Sequence, residues 1–156
     1  MLEIIIPGHT TLLLNHLVMD YNGTLAQDGL LLDGVRSRLT SLSERLRLHV
    51  ITADTFGLAR DQLNGLPCEL AILPVEEQIQ AKLAYIQQLG EVEVVAIGNG
   101  RNDQRMLQAA ALGIVIIQGE GAAIETCLSA DVLAPDILAA LDLLIFPKRL
   151  VATLRS

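Results

Sequence analysis

Residues 17–24 read Leu-Val-Met-Asp-Tyr-Asn-Gly-Thr, a short apolar run that ends in an acid and a glycine turn. This pattern predicts a buried strand with Asp20 at its carboxyl end. Comparable runs, each separated from the next by a helical pattern, are found at 48–53, 70–73, 92–97 and 114–117. Repeated strand–helix units of this length predict an α/β fold in which helices cover both faces of a parallel sheet.

The segments between these strands carry helix signals. Asp33 is expected to cap a helix whose apolar residues, from Val35 to Leu46, recur at helical spacing. Further helices are predicted over 55–63, from Pro74 to Gly90, over 102–112 with a stop at Gly113, and over 136–154 with a break near Pro147. An extra hairpin or edge strand is expected within 2–14. We expect all 156 residues to form a single domain.

Composition narrows the possible partners. The chain is 51% hydrophobic and only 3% aromatic, which favours an aliphatic α/β core over a surface that stacks on bases. Its net charge of −7 argues against nucleic acid and anionic membranes as main partners. The apolar stretch 137–146 is too short to cross a membrane. Cys68 and Cys127 are interpreted as reduced core thiols, so we expect a cytoplasmic protein.

Three polar clusters follow three of the predicted strands: 20–24, 52–55 and 98–103. Ligands of parallel sheets bind beyond the carboxyl ends of the strands, so these clusters should meet at one edge. Taken singly, Asp20 is equally consistent with a turn-capping acid, and Asp54 and Asp103 with helix caps. Together, three acids at one edge repel each other unless a divalent cation lies among them.

Lys82 lies within the apolar stripe of the helix that follows Pro74, between Ile79 and Ile86. A lysine in this position either extends to solvent or meets a buried anion. The acidic edge nearby favours the second interpretation, an ion pair with Asp20 or contact with a bound phosphate.

Four segments in this order resemble the haloacid dehalogenase superfamily of phosphohydrolases. More narrowly, they resemble the phosphorylation domain of P-type ATPases. The segments are DYNGT at 20–24, ITADTFGLA at 51–59, Lys82, and GNGRND at 98–103 with the following LQAAALGIVI and SADVLAP. The resemblance covers residues 17–132 and implies a three-layer α/β/α, Rossmann-like fold.

The resemblance implies a role for each matching residue. Asp20 would attack a phosphoryl group and form an aspartyl phosphate. Thr52, Lys82 and Asn102 would hold the phosphate oxygens, together with backbone groups of Tyr21, Asn22, Gly23 and Ala53. A magnesium ion would lie between Asp20, the Asn22 carbonyl, residue 99 and Asp103. Such an ion would neutralise the acids and the phosphate, with Lys82 adding positive charge.

Two positions depart from the family pattern. Asn22 stands where family phosphatases have an acid–base aspartate, and an amide cannot exchange a proton at neutral pH. The loss of such a group costs about 10²–10⁴-fold in rate. Asn99 stands where a metal-binding aspartate is expected, and it brings an oxygen but no charge.

The short segments after the first and second strands leave no room for a cap domain, so specificity should come from a neighbouring subunit or partner. The sequence therefore predicts a capless, Mg²⁺-dependent and slow phosphohydrolase that acts through Asp20. Its substrate would be a phosphorylated small molecule or protein, and a homo-oligomer is compatible with this. The alternative is a catalytically impaired module that binds Mg²⁺ or phosphate without turnover. A purely structural assembly subunit is the third possibility.

Overall fold

The computed structural model describes residues 1–156, which form ten strands and seven α-helices. The strands are β1 (Leu2–Ile5), β2 (Thr11–Leu14), β3 (His16–Asp20), β4 (Ala26–Gln27), β5 (Leu30–Leu31), β6 (Arg47–Thr52), β7 (Cys68–Ile72), β8 (Val94–Gly98), β9 (Leu112–Ile116) and β10 (Val132–Ala134). The helices are α1 (Val35–Leu42), α2 (Ala59–Gln62), α3 (Gln78–Leu89), α4 (Gln104–Ala109), α5 (Ile124–Ser129), α6 (Ile137–Ile145) and α7 (Pro147–Leu154).

Six parallel strands form the central sheet, in the order β10-β9-β8-β3-β6-β7. Strand β3 lies inside this order, between β8 and β6, and all five of its residues are buried. Leu17 and Met19 pack into one core layer and Val18 packs into the other, as the alternation of a strand requires. The predicted three-layer α/β/α fold with a parallel sheet is therefore confirmed.

Helices cover both faces of the sheet. One layer contains α1, α2, α6 and α7 together with the antiparallel hairpin β1–β2, and its core includes Leu39 and Leu141. The other layer contains α3, α4 and α5, with Ile86 and Met106 in its core. The predicted hairpin at the N-terminus and the predicted break at Pro147 are both present.

The structure contains no cap domain. After β3 the chain makes only the small hairpin β4–β5 before it enters α1. After β6 it makes only a turn and the single-turn helix α2 before β7. The carboxyl edge of the sheet is therefore left without a covering domain, as the sequence predicted.

Several predicted helix boundaries are wrong because residues with a left-handed backbone interrupt them. Asp54 (φ 53°) and Gly57 (φ 69°) turn the chain after β6, so only one helical turn forms there. Glu77 (φ 61°) delays the start of α3 to Gln78, which leaves Pro74 outside the helix. Gly34 (φ 85°) occupies the position before α1, and Asp33 does not cap that helix.

The region after β8 differs from the prediction as well. The segment Arg101–Asp103 is a short 3₁₀ helix, and α4 ends at Ala109 instead of continuing to 112. Gly113 lies inside β9, where a Cβ atom would come within 2.9 Å of the carbonyl carbon of Leu107. A sixth sheet strand, β10, was not predicted, because its three residues carry too short a pattern.

Both cysteines are free thiols, as predicted, and each is half-buried against a different core layer. Burial raises the pKa of the Cys68 thiol. None of the helices is long and apolar enough to cross a membrane.

His16 of β3 and His49 of β6 contact each other on the face of the sheet that α3 covers. Nδ1 of His16 lies 3.0 Å from Nε2 of His49, whose Nδ1 lies 2.9 Å from the Tyr85 hydroxyl. Burial lowers the pKa of both imidazoles below 6.5, their ordinary value; Arg47 reinforces the shift and Glu69 opposes it. Two neutral rings can share one proton between the facing nitrogens, whereas two protonated rings would place like charges together.

The buried pair should make stability depend on pH. Because the folded pKa values are depressed, the stabilisation is complete above about pH 6.5 and is lost as the pH falls through the folded values. Between about pH 7.5 and pH 5.5 we expect the urea midpoint of the wild type to fall relative to that of the double variant His16→Gln/His49→Gln, because Asp20, whose raised pKa acts in the opposite direction, titrates alike in both proteins. Exposed His9→Gln should follow the wild type. Equal slopes for all three proteins would contradict this account.

Candidate active site

Polar residues from four loops and one helix surround a cavity of about 360 Å³ at the carboxyl edge of the sheet. Asp20 and Thr52 end the neighbouring strands β3 and β6, and the segment 99–103 follows β8. Of the ten predicted site residues, those that line the cavity are Asp20, Asn22, Thr52, Ala53, Lys82, Asn99 and Asn102. The other three, Tyr21, Gly23 and Asp103, lie behind its wall.

Lys82 connects the two acids of the site. Its ammonium group donates to Oδ1 of Asp20 at 2.8 Å and to Oδ1 of Asp103 at 2.6 Å. A longer contact of 3.4 Å reaches Oδ1 of Asn102. The side chain is only 1% exposed, so it does not extend to solvent. The predicted meeting of Lys82 with a buried anion is confirmed, and the solvent-exposed alternative is excluded.

One cation shared by two buried carboxylates sets the electrostatics. The pKa of Asp20 is raised to about 7, mainly by burial and further by the charge of Asp103, against the opposing effect of Lys82. Burial lowers the pKa of Lys82, but Asp103 and Asp20 outweigh that effect and raise it overall. The lysine therefore stays charged, and its charge is insufficient for both acids. The site retains room for further positive charge.

Asp103 holds the lysine and its own loop in place. It is fully buried, and its Oδ2 accepts hydrogen bonds from the N–H groups of Asn99 and Gly100, both at 2.9 Å. Gly98 allows this approach, because a Cβ there would lie 2.6 Å from the Asp103 carboxyl carbon. Predicted as a metal ligand, Asp103 instead lies behind Lys82 with both oxygens already in use.

The turn after Asp20 is built around the carbonyl of Tyr21, which accepts hydrogen bonds from the N–H groups of residues 24, 25 and 26. Gly23 adopts φ 79°, and its own N–H donates to the Ala26 carbonyl at 2.8 Å. The expectation that Gly23 offers this N–H to a phosphate is therefore corrected: its contribution is the turn itself. The Tyr21 ring is buried, and its hydroxyl donates to the carbonyl of Gly29.

Other groups along the cavity remain available to a ligand. The backbone N–H groups of Asn22 and Ala53 donate to no protein acceptor. The Thr52 hydroxyl oxygen accepts the N–H of Asp54 at 2.9 Å, which leaves its proton free to donate. Oδ1 of Asn22 is buried without a hydrogen-bond partner. Such an orphaned oxygen beside a carboxylate indicates a place for a cation or a donor.

Three contributors to the site were missed by the sequence reasoning. The Thr24 hydroxyl lies 3.3 Å from Oδ2 of Asp20 and from Oδ1 of Asn99, so its single proton can be donated to either oxygen, and the threonine of DYNGT was the available signal. Gln118 and Glu120 come from the loop after β9. Nothing in their sequence spacing links them to Asp20, because the contact depends on the order of strands in the sheet.

A divalent cation fits the donor set of the cavity. Asp20, Asn22, Asn99 and Glu120 present oxygen atoms there, the ligand type that Mg²⁺ prefers. No group of three His, Cys, Asp or Glu side chains suitable for a metal exists in the chain. An ion would therefore be held by few carboxylates plus amide oxygens and water, as Mg²⁺ often is next to a phosphate.

The structure thus brings together the residues that carry the resemblance to the haloacid dehalogenase superfamily, an acid at the end of a central strand and a buried lysine. The chain shares its fold with a solved structure described as an HAD superfamily hydrolase of Legionella pneumophila, at a TM-score of 0.64 and 16% identity over 90% of this chain and 88% of that chain, so the resemblance is confirmed at the level of the fold. No family model matches the chain. It is 46% identical over 80 residues to the uncharacterized protein MJ0073 of Methanocaldococcus jannaschii, covering 49% of this chain and 86% of that protein. The chain belongs to the same family as MJ0073.

Solved structures of phosphatases share the fold at low sequence identity. The cobalt-bound deoxy-D-mannose-octulosonate 8-phosphate phosphatase of Haemophilus influenzae has a TM-score of 0.72 and 13% identity, with 92% of this chain and 94% of that chain covered. The Moraxella catarrhalis 3-deoxy-D-manno-octulosonate 8-phosphate phosphatase, in complex with magnesium, phosphate and KDO, has a TM-score of 0.65 and 16% identity over 90% and 92% of the chains.

A zinc-transporting PIB-type ATPase is similar over a smaller part of its length. Its TM-score is 0.58 at 23% identity, and the match covers 79% of this chain but 20% of the ATPase. The likeness to a P-type ATPase domain predicted from the motifs is thus present in the fold.

Removal of the Lys82 charge should destabilise the protein strongly. Lys82→Met would leave Asp20 and Asp103 buried without their cation, at a cost of about 3–5 kcal/mol in the free energy of unfolding. Lys148→Met changes an exposed lysine and should stay within about 0.5 kcal/mol of the wild type. Urea titrations at neutral pH measure both.

Adding Asp20→Asn to Lys82→Met should recover part of the loss, because one of the two unpaired carboxylates is then neutral. If Lys82→Met were as stable as Lys148→Met, the buried ion pairs would not hold this edge of the sheet together.

Proposed function

We propose that the protein is a Mg²⁺-dependent phosphohydrolase that forms an aspartyl phosphate on Asp20 and turns over slowly. The observation that carries the proposal is the contact of Asp20 with the buried Lys82 ammonium at the wall of an open cavity. Oδ1 of Asp20 is held by the lysine and Oδ2 by Thr24 at 3.3 Å, so the carboxylate is fixed where a phosphoryl group can enter.

The groups around Asp20 suit the oxygens of a phosphate ester. Lys82 supplies a positive charge, and the Thr52 hydroxyl and the Asn102 amide supply neutral donors. The unpaired N–H groups of Asn22 and Ala53 add two backbone donors on the same cavity wall. Donors fixed in advance around the transferring group lower the barrier, because they need no reorganisation during the reaction.

A magnesium ion would be held by Asp20, the Asn22 carbonyl and the amide oxygen of Asn99. When bound, it would neutralise charge on the phosphate and on the acids of the site. Burial and the like charge of Asp103 both raise the pKa of Asp20, so added positive charge would also favour the ionised carboxylate that is needed for attack.

In the first step, an Asp20 oxygen forms a bond to phosphorus while the bond from phosphorus to the leaving oxygen breaks. The leaving group takes its proton from water, because Asn22 has none to give. In the second step, a water oxygen attacks phosphorus, inorganic phosphate leaves, and the Asp20 carboxylate is regenerated. The proton released by this water passes to solvent. Both steps lack a positioned acid or base at residue 22, which accounts for slow turnover.

The substrate proposed is a phosphate monoester on a small molecule or a protein. The cavity opens at the carboxyl edge without a cap, so a large group attached to the phosphate can extend outside. Val75 lines the cavity at 71% exposure, and Phe56, which follows the cavity residue Thr55 in the chain, is 53% exposed. These apolar side chains offer contacts for the organic part of a substrate or for a second copy of the chain.

A test of the proposal is to incubate the protein with acetyl phosphate, with and without Mg²⁺, and to measure the intact mass. We expect a Mg²⁺-dependent phosphoryl adduct that Asp20→Asn abolishes and that Asp61→Asn, a change of an exposed acid, leaves in place. Absence of both adduct and metal-dependent turnover would favour the binding module. If the protein also shows no response to Mg²⁺ together with beryllium fluoride, a mimic of phosphate, the result would favour a purely structural subunit.

The role assigned to residue 22 has its own test. Asn22→Asp restores a group that can transfer protons, so hydrolysis of an aryl phosphate should rise by at least about tenfold, whereas Asn22→Ala should not increase it. The lifetime of the adduct should shorten in parallel. An unchanged rate in Asn22→Asp would show that the missing acid does not limit turnover.

A further inference from the structure

The loop that follows β9 brings a second carboxylate to the cavity. Glu120 lines the cavity, and a Cβ atom placed on Gly23 would overlap its Oε2. The same Cβ position lies 3.1 Å from Nδ2 of Asn99. The carboxylate of Glu120 and the side-chain amide of Asn99 therefore approach each other over Gly23, which lies behind the cavity wall next to Asn22.

Hydrogen bonds hold the Glu120 loop against the two loops beside it. Nε2 of Gln118 donates to the carbonyls of Gly23 at 3.0 Å and Thr24 at 2.7 Å. Nδ2 of Asn99 donates to the carbonyl of Gly121 at 3.0 Å. The backbone is thus held on both sides of Glu120, at Gln118 and at Gly121, while the Glu120 side chain itself is exposed where it lines the cavity.

Glu120 is also the cavity carboxylate without a partner. Asp20 is bonded to Lys82, and Asp103 lies outside the cavity with both oxygens in use. The ion pairs of the chain do not include Glu120. Oδ1 of Asn22, which lines the same cavity, is buried and unpartnered. A carboxylate without a protein partner and an orphaned amide oxygen that line one cavity are both donors that a hard cation would bind.

We infer that Glu120 supplies the carboxylate that the divalent-cation site lacks at position 99. This inference rests on the proposed function, because it concerns the cation of the same site. Asp20, Asp103 and Lys82 alone carry a formal charge of −1, and Glu120 brings it to −2, which a divalent cation balances. The acid that Asn99 does not provide thus comes from a loop that is distant in sequence.

An asparagine at position 99 is consistent with a carboxylate that is supplied by Glu120 instead. Its amide N–H group holds the Gly121 carbonyl, a bond that an aspartate could not donate. An aspartate at 99 would also face Glu120 with like charge across Gly23. Asn99 therefore acts as a positioning residue for the Glu120 loop. The two positions should behave as an interdependent pair.

Binding of Mn²⁺, followed by electron paramagnetic resonance on the full chain, tests the inference without relying on turnover. Glu120→Gln should weaken Mn²⁺ affinity by at least about tenfold, and competition with Mg²⁺ should show the same change. Glu76→Gln removes an exposed acid at the same edge of the sheet and should leave the affinity unchanged. Thermal unfolding of each variant shows whether it is folded.

A second pair of variants keeps the test specific. Asn99→Asp in the Glu120→Gln background should restore most of the lost affinity, since the carboxylate returns from the other loop. Failure of this rescue, or wild-type affinity in Glu120→Gln while Asp20→Asn abolishes binding, would overturn the inference and leave the proposed function intact. Slower turnover of Glu120→Gln at wild-type affinity would assign Glu120 to proton transfer and also overturn it. No Mn²⁺ binding by the wild type would remove both proposals.

Discussion

The buried ammonium of Lys82, shared between Asp20 and Asp103, is the constraint on which the rest of this edge depends. It joins the end of β3, helix α3 and the loop after β8, three segments that are far apart in sequence. Because the lysine is only 1% exposed, its charge is buried, and both acids must be buried next to it when these segments pack. The same contact fixes the carboxylate proposed to react. Stability and chemistry therefore rest on one set of three side chains.

The sequence predicts the fold well because its strongest signals are physical ones. The apolar runs before Asp20 and before Gly98 lie in strands buried on both faces, and the alternation of strand and helix allows few topologies. Lys82 could be singled out because a charge inside an apolar helical stripe needs a partner. Boundaries failed where one residue adopts a left-handed conformation, as at Glu77, because side chains give little warning of φ at a non-glycine position.

The site was harder to predict than the fold, for reasons seen in particular residues. Motif spacing brings Asp20, Thr52 and Asn102 to the cavity, but it does not reveal that the Gly23 N–H is used within its own turn. It also does not show that Asp103 lies behind the lysine. The spacing of the motifs does not predict that Glu120 lies at the site, because its approach to Gly23 depends on hydrogen bonds between loops. Local sequence specifies the motif, whereas the packing of the loops determines which of the motif's polar atoms remain available to bind a ligand.

The position of β3 between β8 and β6 also bears on how the molecule is made. The ribosome synthesises β3 before both of the strands beside it and before the lysine that neutralises Asp20. Long loops must close before the central strand gains its neighbours, which slows folding compared with a chain of local contacts. The apolar strand that ends in Asp20 consequently lacks its neighbours in the sheet until β6 and β8 have been translated.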